Sequence, residues 1–211
     1  MTKKKKGALL ISALALIAVI VVGGTLAYFT SQDTAQNVFT VGKVKGDLTE
    51  TSTANPEDGI QAGTETDNGY NYDKVMPGDK WSKEPVVSIT SDSEPAYVRV
   101  HMEVNPVENG SPIPDDVKAR ILSSECLNIN ANWVKGSDGA YYYQSILSNS
   151  DKAATEPLFT VVTFDAEKWG NELNGLSFTI DLTADIIQAD NFTPVKTGDT
   201  ITSWGNVEIK K

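Results

Sequence analysis

One cysteine, Cys126, and one histidine, His101, stand in a chain of 211 residues. A lone cysteine excludes an intrachain disulfide, so the fold must hold by packing and sheet hydrogen bonds. Apolar neighbours (Ile121-Leu122 before it, Leu127 after it) make Cys126 a small buried residue rather than a reactive thiol. A lone histidine excludes the two-histidine zinc site of a His-Glu-x-x-His helix. Here His101-Met102-Glu103 sits in a strand pattern, with His101 facing solvent. The chain also lacks a phosphate-binding glycine loop, a nucleophile–base signature and an internal repeat. No catalytic residues and no metal ligands are assigned. The longest apolar run, Ala8 to Val22, is 15 residues broken only by Ser12. A helix needs about 20 apolar residues to cross a bilayer.

Basic residues are scarce as well, and four of them precede that run. Lys3 to Lys6, the apolar run, Gly23-Gly24 and the small-residue step Thr25-Leu26-Ala27 have the order of a secretory signal peptide, which would form a signal helix. The expected cut lies between Ala27 and Tyr28, with Thr25 at the −3 position. Residues 1–27 are then leader, and residues 28–211 form one domain large enough to bury a real core. Of 18 Lys+Arg, the leader takes four, which leaves 14 against 28 Asp+Glu, a net −14. Such an acidic chain suits neither nucleic acid nor an anionic membrane surface as partner. Membrane contact is expected only during export.

Along the mature chain the period is two. Val38 to Val44 is strand-like, with Phe39 and Val41 on one face. It reads either as an edge strand of the protein's own sheet or as a donor strand for a neighbour's sheet. Thr49 to Gly69 is acidic and nearly free of large apolar side chains, which predicts a solvated surface loop. Its Glu50, Glu57, Asp58, Glu65 and Asp67 lack the spacing of a calcium loop, although calcium at an unassigned site stays open. Pro77-Gly78 occupies the centre of a β-turn ahead of the strand Pro85–Thr90. Ala96 to Val104 alternates, with Ala96, Val98, Val100, Met102 and Val104 inward. Asp115 to Leu122 predicts a short helix burying Val117 and Ile121. Trp133 and the Tyr141-Tyr142-Tyr143 row flank a Gly/Asp turn and predict a hairpin. Leu158 to Phe164 reads as a strand, and Asp165 as the cap of a helical turn around Ala166 to Leu173. Leu176 to Gln188 alternates throughout, with Asp181 and Asp185 on the solvent side as charges that discourage edge pairing. The tail from Thr193 is turn-rich, with Val207-Glu208-Ile209 as a final short strand.

Several of these stretches resemble one family. They are Gly23-Gly24-Thr25-Leu26-Ala27-Tyr28-Phe29-Thr30, Asn37 to Val44, the Pro77-Gly78-Asp79 step with its following strand, the Trp133…Tyr143 hairpin with Thr155 to Phe159, and Ala184 to Phe192. Together they are similar to the TasA/camelysin family of Gram-positive exported proteins; the Thr49–Gly69 stretch has no counterpart. The resemblance implies a leader removed by a signal peptidase of the SipW type and a jelly-roll core. It also implies a secreted subunit of biofilm-matrix fibres at the cell surface, with an accessory matrix or anchor protein as a further partner. Some camelysin-like relatives carry a metallopeptidase label, for which this chain shows no ligand motif.

The expected fold is all-β, an antiparallel sandwich of jelly-roll type with one or two short helices. The expected function is a homopolymer assembled by donation of residues 28–47, with Val38, Phe39, Thr40, Val41 and Val44 as the polymerisation strand. Two alternatives stand beside it: a camelysin-like cell-surface metalloendopeptidase, and a monomeric surface-binding module using the Tyr141–Tyr143 face.

Overall fold

The computed structural model describes residues 30–34, by their backbone, and residues 44–67, 69–72, 74–173 and 175–207. The leader, the Ala27–Tyr28 step, Val38 to Val41, and Glu208-Ile209 lie outside the described residues. The described chain is all-β, built of several mostly antiparallel sheets. Its first strands are β1 (Thr30–Thr34), β2 (Gly46–Thr51), β3 (Ile60–Ala62), β4 (Thr64–Thr66), β5 (Gly69–Asn71), β6 (Lys80–Ser82), β7 (Glu84–Ile89) and β8 (Ala96–Pro106). One α-helix, α1 (Asp115–Ile121), follows. The chain continues as β9 (Trp133–Lys135), β10 (Tyr141–Tyr143), β11 (Val161–Thr163), β12 (Phe178–Gln188), β13 (Val195–Thr197) and β14 (Thr200–Ser203). No helix among the described residues is long and apolar enough to cross a membrane.

The largest sheet has five strands in the order β1-β12-β8-β10-β9. Its spine is the antiparallel pair β8–β12, in register from Ala96↔Gln188 to Pro106↔Phe178. Alternation in both strands puts Val98, Val100, Val104, Leu182, Ala184 and Ile186 on one face. There they join Val44, Leu48, Val87 and Ile89, from and just before the β2–β7 pair, in the main core. Val117 and Ile121 of α1 enter the same core, as their four-residue spacing predicts.

The opposite face of the sheet is also covered, at one end. Residues 193–207, expected to be turn-rich, form the β13–β14 hairpin instead. Ile201, Trp204 and Phe192 pack there against Ala140, Tyr142 and Ile187 in a second apolar cluster. The tyrosine row therefore points to two interiors, Tyr141 and Tyr143 to one and Tyr142 to the other, and all three are buried.

The Thr49–Gly69 stretch corrects the surface-loop expectation. Its side chains are mostly exposed, but its backbone is built into β2, a 3-10 turn at Pro56–Asp58, β3 and β4. β3 runs parallel to β6 with Gln61 opposite Trp81, and Ser52 Oγ accepts from the Gly63 N–H at 2.9 Å. Order here comes from backbone ladders and short polar bonds, which composition does not reveal. Glu50, expected in solvent, is buried against Lys83 at 2.6 Å.

Other local expectations hold. Gly78 has φ 101° at the third position of the Met76–Asp79 turn, the conformation glycine adopts freely. The Asp79 N–H donates to Met76 O at 3.0 Å to close that turn. Asp165 Oδ1 accepts from the Glu167 N–H at 2.9 Å, capping the turn that leads to the 3-10 segment Asn171–Leu173.

Gly46 marks where β2 meets β12. A Cβ placed on it would overlap Ile186 Cδ1 of β12 and the Ser88 carbonyl of β7. Because the second obstacle is backbone, it has no rotamer escape. Gly46→Ala is expected to lower stability by about 1–3 kcal/mol, as overpacked core sites do, read as a reduced urea midpoint with an unchanged m-value.

Candidate functional site

The five-stranded sheet has β1 as one edge. β1 pairs antiparallel with β12 from Thr30↔Ile187 to Thr34↔Thr183. Within the described residues it lies beside Thr183 to Ile187 of β12. Among the described residues no strand pairs with Phe178 to Leu182 on the side away from β8. Of the residues expected in the polymerisation strand, the structure describes Val44 alone. Val44 is fully buried in the protein's own core.

Across the sheet from β1 runs a polar row on the face under the β13–β14 hairpin. Asp185, Arg99 and Tyr142 are successive cross-strand partners on β12, β8 and β10, and the backbone of Gln32 on β1 is paired with Asp185. Asp185 was expected in solvent with Asp181; the structure places Asp181 there and buries Asp185 to 1 % exposure. Arg99 Nε donates to Asp185 Oδ2 at 2.8 Å, and His101 Nε2 lies 3.4 Å from the same oxygen. The guanidinium also sits 4.7 Å over the Trp204 ring and 3.8 Å from Asp138, which accepts from the Tyr142 hydroxyl. Burial alone would lower the pKa of Arg99, but Tyr142 and Asp185 raise it on balance. Asp185 Oδ1 is buried without a hydrogen-bond partner. His101 keeps partial exposure and stands beside a charge rather than in open solvent.

This row escaped sequence reasoning because alternation assigns faces without saying which are covered. The signal for the cover was present in Phe192, Ile201 and Trp204, three large apolar residues in a tail otherwise rich in turns.

A second buffered contact lies near the β10 hairpin. Glu156 accepts from Lys152 Nζ and from the Tyr143 hydroxyl, and Trp133 Nε1 donates to its carbonyl at 3.1 Å. The lysine contact first, then the tyrosine, pull the Glu156 carboxyl from its ordinary 4.5 down to about 2. With all three tyrosines buried, the row offers no open stacking face for a sugar or base. Burial pushes the Cys126 thiol up to about 11, so it resists forming the nucleophilic thiolate. Among the described residues no three His, Cys, Asp or Glu side chains gather where they could hold a metal ion.

What fold and site define, then, is an all-β protein whose largest sheet has β1 at its edge and a buried charge row on one face. No protein-family description, curated protein or solved structure matches the chain.

Arg99→Ala takes the guanidinium from the buried Asp185 carboxylate and is expected to cost about 3–5 kcal/mol in urea unfolding. The paired change Arg99→Met with Asp185→Leu removes both charges and is expected to recover most of that loss. The depressed carboxyl of Glu156 contributes stability that is present above pH 4.5 and lost as the pH falls toward 2. Glu156→Gln is expected to flatten the thermal midpoint across that window. Cys126 is expected to take up iodoacetamide at pH 8 only after the chain is unfolded.

Proposed function

We propose that this chain is a secreted structural protein, a subunit that polymerises into extracellular fibres through its N-terminal strand. The observation that carries the reading is the placement of β1. The earliest described element of the chain is an edge strand joined to a single neighbour, β12, by a backbone ladder. A strand held in this way can pair equally with the same edge of another copy, since main-chain hydrogen bonds supply the attraction whatever the side chains. Exchange of an identical element between copies is a low-cost route to assembly.

The acidic mature composition, the leader pattern and the resemblance to the TasA/camelysin family support the same reading. Under it, the sheets are the two layers of a jelly-roll-like sandwich, and a peptidase of the SipW type frees Tyr28. The fibres lie in the matrix or at the surface of a Gram-positive cell, with an accessory or anchoring protein as a further partner.

The test compares the chain starting at Tyr28 with one starting at Val44, which keeps the buried Val44 and all of β2. Electron microscopy and size-exclusion chromatography are expected to show fibres from the first and folded monomers from the second. Thermal unfolding of both checks that the shorter chain has its core. Fibres from the shorter chain would reject strand donation.

A further inference from the structure

An asparagine followed by glycine is the sequence in which a side-chain amide is most open to attack by its own backbone. The glycine nitrogen carries no neighbouring side chain to obstruct the approach. The pair Asn109-Gly110 lies in the turn that leaves β8, where the Gly110 N–H donates to the Val107 carbonyl at 2.8 Å. Asn109 is the third residue of this turn and has φ 62°. Glycine and asparagine are the residues that accept a left-handed backbone there. Gly110 meets its own constraint. A Cβ on it would stand 2.9 Å from the Val107 carbonyl oxygen and 3.1 Å from Val107 Cγ2. The turn therefore selects both members of a chemically labile pair.

Exposure and freedom set Asn109 apart from its counterparts. Its side chain is exposed, and among the described residues no group bonds its amide. Asn149 is also exposed and precedes the small Ser150, but its Nδ2 donates to Thr90 O at 2.9 Å and to Ser93 O at 3.1 Å. The Asp-Gly pairs, open to a slower version of the same attack, are held as well. Asp58 Oδ2 accepts from Asn55 Nδ2, and Asp138 accepts from the Ala140 N–H and the Tyr142 hydroxyl. Asn105 precedes Pro106, whose nitrogen has no proton to lose. The asparagines of the pairs 68–69 and 174–175 lie outside the described residues.

From this we infer that Asn109 is a self-modifying site, converted without an enzyme to aspartate and isoaspartate. The turn bond to Val107 opens first, a local event at an exposed loop. The Gly110 nitrogen gives up its proton and bonds to Asn109 Cγ. The Cγ–Nδ2 bond then breaks, ammonia leaves, and a five-membered succinimide closes. Water adds at either ring carbonyl. Cleavage of the bond from Cγ to the Gly110 nitrogen gives aspartate. Cleavage at the main-chain carbonyl gives isoaspartate, with the backbone rerouted through the side chain. Water is consumed and ammonia released, with no change of oxidation state. Either product sets a new carboxylate beside Glu108, and isoaspartate also adds a methylene to the main chain of the turn. Nothing in the reaction resets it, so the charge records the age of each molecule. The inference stands whether or not the chain polymerises.

The test holds the folded full chain at pH 6 and at pH 8 and digests samples with trypsin at intervals. Cuts after Arg99 and Lys118 release Val100–Lys118, in which the other asparagine is the proline-blocked Asn105. This fragment is expected to gain, over time, the mass of an amide-to-acid exchange. The gain is expected to be faster at pH 8, because the attacking nitrogen must lose its proton. The isoaspartyl part is expected to take a labelled methyl group from S-adenosylmethionine in the presence of an isoaspartyl methyltransferase. Asn109→Gly keeps the positive φ accessible; it is expected to abolish the gain and leave the urea midpoint unchanged. A fragment that keeps its amide in the folded chain, while the urea-unfolded chain converts, would overturn the inference. So would conversion that persists on this fragment in the Asn109→Gly chain.

Discussion

Eleven consecutive antiparallel pairs between β8 and β12 form the frame on which everything else in the molecule is hung. One face of this ladder supplies Val98, Val100, Leu182, Ala184 and Ile186 to the core shared with the β2–β7 layer. The other face supplies Arg99 and Asp185 to the polar row. Each flank of the pair carries a further strand, β10 beside β8 and β1 beside β12. A one-residue slip would exchange the two faces, burying Arg99, His101 and Asp181 in the main core and exposing its valines and isoleucines. Register is thus fixed by the penalty for error more than by any single contact. The Arg99–Asp185 pair adds to that discrimination, since it forms only when the two strands are correctly aligned.

The charge row also explains how a sheet face can be half wet and half dry. Toward Asp181 and Glu103 the face is open, and these like charges are tolerated opposite each other because water screens them; Asn105 also donates to Asp181 at 2.9 Å. Toward Asp185 the face is closed by Trp204 and the β13–β14 hairpin, so the carboxylate needs a cation. Arg99 suits that place because its planar guanidinium bonds a carboxylate along its edge while stacking on an indole ring with its face. A lysine would supply the charge but not both contacts.

Much of this architecture was legible in the sequence wherever one period governed a whole segment. Ala96 to Val104 and Leu176 to Gln188 announce strands, α1 follows from Val117 and Ile121, and Gly78 and the Gly136–Gly139 turn fall where their chemistry requires. Legibility failed where order depends on a partner far along the chain. The polar Thr49–Gly69 stretch has no apolar period, yet β3 is ordered by the parallel partner β6. Asp185 and Asp181 occupy equivalent places in the alternation and differ only because the hairpin lies over one of them. The edge was equally hidden: strand pattern identifies β12 but not that β1 is its neighbour.

The same spine has a consequence for the order of events in folding. Ala96 pairs with Gln188 and Pro106 with Phe178, so roughly 70 to 90 residues separate the partners, the kind of distant pairing that folds slowly. A chain emerging from its N-terminus has β2, β6, β7 and β8 long before it has β12, and none of these can close the main core alone. Until residue 188 arrives, β8 has β10 as its sheet neighbour but lacks β12 on its other side. The β8–β12 spine can therefore close only after residue 188 has been made, which puts completion of the main core late in synthesis.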